Sequence, residues 1–195
     1  SLEAIGGNTS PLDEACHLAR PVRGPMETAA RVRRYLEGSF IWQPGVTVTM
    51  QDPLCYRSAC HVNGAVRDAL DYVIPHLAGH INSSDDNPCV VSEQREYSPA
   101  TSLALGFEML GQALCHVSRN ICYQLIKLDT PYFSRLPRFL SPDGTSVMAY
   151  TTNQKTYTAL DAENRLLSNP VNVDWLSVSG DVEDHATNAP LIVAK

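Results

Sequence analysis

The 195-residue sequence has few charged side chains, and the acidic ones outnumber the basic ones. Charged residues make up 18% of it, whereas an average soluble domain has about 25%. So little charge predicts that part of the surface is covered by other chains. The 15 basic and 21 acidic residues give a net charge of −6. This balance argues against nucleic acid as the main partner, because phosphate contacts need clustered Lys and Arg.

Long hydrophobic runs are also missing from the sequence. No apolar stretch approaches the roughly 20 residues that a membrane-spanning helix needs, and no basic-then-apolar signal peptide opens the chain. We therefore expect a cytoplasmic protein without a membrane partner. The chain starts at Ser1 rather than at methionine, so we expect residues 1–195 to be one helical domain within a longer polypeptide.

The six cysteines form no Cys-x-x-Cys pair, and the nucleotide-binding glycine motifs and the Gly-x-Ser-x-Gly elbow are absent. A cysteine can still lie beside a histidine, as in Cys60-His61 and Cys115-His116, but sequence neighbours rarely point at one metal ion. The chain is long enough to fold without disulfides. We therefore expect buried, reduced thiols and no metal site.

Apolar residues recur at the helical period over long stretches, which predicts an all-α fold, a bundle of long helices. Pro25, Asp52-Pro53 and Ser98-Pro99 suit helix starts, and Pro75 suggests a kink. A helix of thirty residues would be about 45 Å long, so we expect the bundle to continue across subunits. The predicted helices cover residues 25–37, 54–80, 98–128 and 147–167, with a structured loop over 6–24 and an extended segment over 39–51.

Gln51, Asp52 and Arg57 surround the predicted start of the second helix. A guanidinium beside unpaired backbone N–H groups can hold a carboxylate through two parallel hydrogen bonds and the helix dipole. The alternative is a capping Asp52 with Arg57 in a surface ion pair. Residue types alone leave both interpretations open.

Three further groups of polar residues could carry chemistry, and each has a plainer alternative. Residues 82–88 contain two adjacent acids that could bind a hard cation, but a turn stabilised by its side chains fits better. Glu183, Asp184 and His185 could perform acid–base chemistry or could form a solvated helix start. Tyr97 stands before a long helix and alone indicates little.

In their order and spacing, these segments resemble the aromatic amino acid lyase family, and most of all its histidine ammonia-lyases. The resemblance covers nearly the whole chain and rests on an ordered set of short motifs: Ser1-Leu2-Glu3-Ala4, Gln51-Asp52-Pro53, Arg57, Val62, Gly64-Ala65, Asp86-Asn87-Pro88, Leu136-Pro137, Phe139-Leu140, Gln154, Glu163-Asn164, Asn169-Pro170 and Glu183-Asp184-His185.

The resemblance implies an all-α homotetramer that eliminates ammonia from an aromatic amino acid such as histidine, or shifts its amino group. It implies the electrophile 4-methylidene-imidazol-5-one, made from an internal Ala-Ser-Gly, and active sites that combine three subunits. By position, Arg57 would bind the substrate carboxylate and Gln51 would hydrogen-bond near substrate and prosthetic group. Tyr97 would be the aromatic beside that group, and Glu183 the acid of the Glu-Asp-His motif. No metal is implied.

The sequence departs from the family pattern in two ways. It contains no Ala-Ser-Gly, the nearest triplet being Val178-Ser179-Gly180, so we expect the prosthetic group only in a full-length protein and no activity from this chain alone. Leu54 stands where the family has a catalytic Tyr, and Tyr56 lies about 200° further round a helix. The full-length protein is thus either an active lyase or aminomutase, or an inactive lyase-like scaffold or binding protein. A helical interaction domain that shares only the fold is the third possibility.

Overall fold

The computed structural model describes residues 1–83, 89–93, 95–97, 101–142, 150–171 and 194. Over these ranges the all-α prediction is confirmed, with one short antiparallel hairpin in addition. The two strands of this hairpin precede the longest of the described helices. The elements are α1 (Glu14–Leu18), α2 (Arg23–Tyr35), α3 (Leu54–Arg57), α4 (Ala59–Ile81), β1 (Cys89–Ser92), β2 (Arg95–Tyr97), α5 (Thr101–Leu128), α6 (Pro131–Ser134) and α7 (Thr151–Leu167).

The long helices occur where the apolar period predicted them, with small shifts at their ends. α2 begins two residues before Pro25, and α7 begins four residues after the predicted start. The predicted loop over 6–24 is only partly a loop, since it contains α1 and a 3-10 turn at Ser10–Leu12. α1 forms there because the Asp13 carboxylate accepts a hydrogen bond from the Ala15 N–H group.

The helix predicted over 54–80 is divided at Ser58 into α3 and α4, so one continuous helix was wrong. α4 itself runs unbroken through Pro75. The prediction that Asp52 caps this helix was also wrong: Pro53 holds the cap position. The physical reason is that the Asp52 carboxylate is bound elsewhere, by the N–H group of Asn8 and the hydroxyl of Thr49.

α2, α4 and α5 pack side by side, and two glycines let α2 and α4 approach closely. A Cβ atom on Gly64 would lie 2.3 Å from the Pro25 nitrogen, and one on Gly24 would lie 2.1 Å from the Gly64 carbonyl oxygen. Any larger side chain at either position would push the helices apart. One buried cluster beside this contact consists of Leu12, Ala29 and Cys60, and another of Ile5, Cys55 and Tyr56.

α7 packs antiparallel against α5 through side chains that are mostly polar. Ser118 accepts a hydrogen bond from the Asn164 amide at 2.9 Å, and buried Asp161 faces the same serine at 3.5 Å. At the far end of α5, buried Asp129 accepts a 2.7 Å bond from Gln154. Buried carboxylates are costly unless they are hydrogen-bonded, so these bonds fix the register of the two helices.

Large apolar side chains remain exposed along α4, α5 and α7. Single domains rarely leave so much apolar surface open to water. That other chains cover part of it stays a prediction. The exposed apolar side chains of these three helices are Leu70, Tyr72, Ile74, Ile81, Leu105, Met109, Leu114, Ile121, Tyr123, Leu160 and Leu166. No helix in the described ranges is long and apolar enough to cross a membrane.

Three cysteines are buried free thiols, as predicted: Cys55, Cys60 and Cys122. Burial raises the pKa of each of these thiols, which keeps them protonated and unreactive. Cys16 is a correction, since it is exposed on the short helix α1, which the sequence did not predict.

Candidate active site: the segment from Gln51 to Arg57

The segment from Gln51 to Arg57 has an inner side in the protein core and an outer side in solvent. Asp52, Cys55 and Tyr56 are buried, whereas Gln51 and Arg57 are exposed. Leu54 is 64% exposed and lies three residues before Arg57, so the two side chains share one face of the helical turn. The outer side therefore presents an amide, an apolar group and a guanidinium.

The inner side is fixed to α5 by a reciprocal pair of hydrogen bonds. The Tyr56 hydroxyl donates to the backbone carbonyl of Gln124 at 3.0 Å, and the Gln124 amide donates to the carbonyl of Cys55 at 2.8 Å. Burial raises the pKa of Tyr56, so its phenol stays neutral. Tyr56 is thus a structural group that points away from Leu54, and it does not replace the hydroxyl that the family has at position 54.

Tyr56→Phe should lower the free energy of unfolding by about 1 kcal/mol, because it removes one buried hydrogen bond and leaves the ring in place. Urea unfolding would measure the change. Tyr132→Phe is the matched control, since that residue is 86% exposed and should show no effect. Equal stability of the two variants would contradict a role for the Tyr56 hydroxyl.

The start of the segment is held by a loop from the beginning of the chain. The Asp52 carboxylate accepts bonds from the Asn8 N–H group at 2.6 Å and from the Thr49 hydroxyl at 2.7 Å. The Asn8 amide donates to the carbonyl of Met50 at 2.9 Å. Gln51 therefore sits between two residues that are both tied to Asn8.

Arg57 has no side-chain hydrogen bond or ion pair with any residue in the described ranges. The alternative of an Arg57 surface ion pair finds no support in this part of the chain. The predicted assistance from a long helix dipole was wrong, because α3 is a turn of only four residues. What remains is an exposed guanidinium on an anchored backbone, a group suited to two parallel hydrogen bonds with a carboxylate.

A cleft of about 360 Å³ lies beside Leu54 and adds positive charge to the outer side. His116, Arg119 and Lys127 of α5 line it, together with apolar groups such as Val62, and no acidic side chain does. Lys127 also lies 4.0 Å from the centroid of the Phe133 ring. Arg119 and Lys127 raise the local positive potential of this cleft and favour an anionic ligand.

Several of the important residues were not predicted from the sequence. Asn8 and Gln124 act through partners 44 and 69 residues away, so no local pattern marks them. In the sequence, Arg119 and Lys127 fit the polar side of a long helix and indicate no site. The one signal in the sequence is that α5 carries these two cations and a single acid, Glu108.

The other two predicted site residues cannot be joined to this segment. Tyr97 ends β2, where its backbone pairs with Cys89, and no more of it is described. Glu183 lies outside the described residues, as do the predicted turn at 85–88 and the Val178-Ser179-Gly180 triplet. The structure thus brings Gln51 and Arg57 together on one segment, and leaves the roles of Tyr97 and Glu183 as predictions.

Solved structures with the same helical arrangement are ammonia-lyases, aminomutases and a related enzyme. Ergothionase from Treponema denticola, an ergothioneine-degrading enzyme, matches 99% of this chain with a TM-score of 0.88 and 42% identity. Histidine ammonia-lyase from Trypanosoma cruzi matches 99% with a TM-score of 0.81 and 25% identity. This chain covers 40% and 37% of those two chains. The described fold is therefore the helical fold of the ammonia-lyases.

The sequence comparisons agree with that class. The family model for aromatic amino acid lyases matches residues 1–195, and the chain belongs to this family. Histidine ammonia-lyase of Alkaliphilus oremlandii (strain OhILAs) is 30% identical over the whole chain, and a probable histidine ammonia-lyase of Thermoplasma acidophilum is 33% identical over 96% of it. The chain spans 39% and 38% of the length of these relatives.

Proposed function

We propose that the full-length protein is a carbon–nitrogen lyase or aminomutase for a histidine-like amino acid, and that this chain supplies the carboxylate-binding side of its active site. The observation that carries the proposal is Arg57. Its guanidinium is exposed and unpaired in the described ranges, and its backbone is anchored on both sides. The sequence resemblance supports the proposal, because it implies that Arg57 corresponds to the carboxylate-binding Arg of the family.

The reaction breaks the bond between the α-carbon and nitrogen, moves a β-proton to a base, and forms a carbon–carbon double bond. Arg57 would hold the carboxylate next to the reacting carbon and so fix the substrate's orientation. Positioning of this kind accounts for a large share of many enzymatic rate enhancements. Gln51, which is also exposed on this segment, would hydrogen-bond to the substrate.

The prosthetic group expected in the family cannot come from residues of this chain, because the sequence lacks Ala-Ser-Gly. When bound in the full-length protein, the group would supply an electrophile for the substrate amino group. Gln51 is one residue of this chain suited to face it, since an exposed amide can both donate and accept hydrogen bonds. The other residues that would surround the group lie outside this segment.

The exposed apolar faces of α4, α5 and α7 support a homotetramer. Each face lacks a partner within the described residues, and burying such stripes is the usual way in which helical bundles become stable. Light scattering of the full-length protein should show four copies. A monomer at micromolar concentration would contradict this proposal.

One observation favours a second substrate, ergothioneine. Identity to the Treponema denticola ergothionase is 42%, well above the 25–33% to the histidine ammonia-lyases compared here. Ergothioneine is a betaine of a thiolated histidine, so Arg57 could bind its carboxylate in the same way. Its nitrogen carries three methyl groups and no free electron pair, so elimination would release trimethylamine without addition of that nitrogen to an electrophile.

A substrate panel on the purified full-length protein separates these possibilities. Ammonia released from histidine would support the ammonia-lyase, and trimethylamine released from ergothioneine would support the second candidate. Isomerised amino acid without free ammonia would indicate an aminomutase. Absence of turnover with histidine, phenylalanine, tyrosine and ergothioneine would overturn the proposal and favour the inactive scaffold.

Leu54→Tyr tests whether the missing hydroxyl limits catalysis. In the full-length protein it should raise kcat with an aromatic amino acid on the order of 100-fold, the usual size of a proton-transfer contribution. Leu54→Phe is the matched control, because it adds the ring without the hydroxyl. If the two variants had the same rate, the absence of this hydroxyl would not be the decisive change.

A further inference from the structure

We infer that Asp52 is a positioning residue: with the loop 6–8 it forms a clasp that holds Gln51 and Arg57 in place for the substrate. The inference rests on the proposed function for its catalytic consequence. The clasp consists of Gly6, Gly7, Asn8 and Asp52, with Met50 and Thr49 as their partners.

The Asp52 carboxylate is buried and has no cationic partner among the described residues. The residue is only 5% exposed, and it forms no ion pair with any residue in the described ranges. One of its oxygens accepts from Asn8 and the other from Thr49. A buried carboxylate without a cation is costly and contributes little to packing, so its role lies in the two bonds that it accepts.

The hydrogen bonds of Asn8 lie on both sides of Gln51. Asn8 binds the carbonyl of Met50 through its side chain and the carboxylate of Asp52 through its backbone. The residues on both sides of Gln51 are thus fixed by one residue 42 and 44 positions away. Met50 is 95% exposed, so side-chain burial cannot hold this stretch, and the hydrogen bonds must.

Backbone hydrogen bonds connect the clasp to Arg57. Pro53 follows Asp52 directly, and its carbonyl accepts hydrogen bonds from the N–H groups of Tyr56 and Arg57 at 2.9 and 3.3 Å. The backbone of Arg57 therefore lies one helical turn from the clasp. A movement of Asp52 would shift Gln51 directly and would disturb the Pro53 carbonyl, which accepts the Arg57 N–H bond.

Two glycines allow the loop to approach this closely. Gly6 has φ +56°, and its carbonyl accepts a bond from the Val48 N–H group at 3.1 Å. A Cβ atom on Gly7 would lie 3.0 Å from an Asp52 carboxylate oxygen and 2.4 Å from a Leu2 methyl carbon. Larger residues at either position would open the clasp.

The test compares Asn8→Ala and Asp52→Asn with wild type in the full-length protein, and Asp13→Asn serves as the matched control. Asp13 also accepts a backbone N–H bond at the start of a helix, but it lies outside the clasp. We expect hydrogen exchange in peptides covering 46–57 to rise at least 10-fold in the clasp variants, while the melting temperature changes little. The control should leave that exchange unchanged.

Ligand binding supplies a readout that loss of stability would not move. Imidazole-4-propionate carries a carboxylate, and 4-(3-hydroxypropyl)imidazole is its alcohol analogue. In the clasp variants, affinity for the carboxylate should fall at least 10-fold and affinity for the alcohol less than 2-fold. With a working substrate, KM should rise more than kcat falls.

The outcomes distinguish the two proposals. Faster exchange together with selective loss of carboxylate affinity supports the clasp as a positioning device. Faster exchange with equal effects on both ligands, or no change in exchange, overturns it. If wild type neither turns over nor binds any of these compounds, the proposed function fails. The clasp is judged separately by hydrogen exchange, and unchanged exchange in the variants would overturn it.

Discussion

Arg57→Ala is expected to lower kcat/KM of the full-length protein for its carboxylate substrate by about 30- to 5,000-fold, the equivalent of roughly 2–5 kcal/mol. The reason is that the substrate carboxylate would lose its bidentate cationic partner. Arg57 is exposed in this chain, so a loss of this size requires the assembled active site of the full-length protein to enclose the pair. Arg57→Lys should fall between wild type and alanine, because an ammonium keeps the charge but cannot form the bidentate pair.

Arg34→Ala is the matched control for this prediction. Arg34 is exposed on α2 and makes no ion pair within the described ranges, so its removal should leave the kinetics within 2-fold of wild type. Steady-state kinetics with the active substrate would measure all three variants. If Arg57→Ala behaved like Arg34→Ala, Arg57 would not bind the substrate carboxylate.

Gly64→Ala is expected to lower the free energy of unfolding by about 3 kcal/mol, at the upper end of the usual cost of overpacking. The added Cβ atom would lie 2.3 Å from the Pro25 nitrogen and 2.6 Å from the Gly24 carbonyl carbon. Both contacts are with backbone, which cannot rotate away as a side chain can, so α2 and α4 would have to separate.

Gly79→Ala provides the opposite expectation on the same helix. No atom of the described residues lies within 4 Å of a Cβ atom built there, so the substitution should stabilise the protein by about 0.5–1 kcal/mol through helix propensity. Thermal or urea unfolding would compare the two. Similar stability of the two alanine variants would contradict the close packing of α2 on α4.

The sequence was sufficient to predict the fold class and the long helices, because their apolar positions repeat with the helical period over many turns. It failed at the break between α3 and α4. Asp52-Pro53 has the local chemistry of a helix start, but the Asp52 carboxylate binds Asn8, 44 residues earlier. No local pattern indicates that such a distant partner competes with the cap.

Only part of the candidate site could be proposed from the sequence. The reasoning behind it has two parts, the guanidinium and the helix start, and they have different outcomes. Arg57 was proposed because a guanidinium at a helix start can hold a carboxylate. Its role stays a prediction, and the start of the long helix is replaced by the four-residue turn α3. Gln124 escaped notice because a lone amide in a long helix has no local signature. Its bonds to Cys55 and Tyr56 exist only once α3 and α5 are packed.

A crystal structure of the full-length protein with imidazole-4-propionate is the decisive test of whether Arg57 binds the substrate carboxylate. Both carboxylate oxygens should lie about 2.7–2.9 Å from guanidinium nitrogens of Arg57, the usual length of such a charged pair. Gln51 should lie within hydrogen-bond reach of the ligand. A carboxylate bound by other cations, with Arg57 in solvent, would show that Arg57 does not hold the substrate.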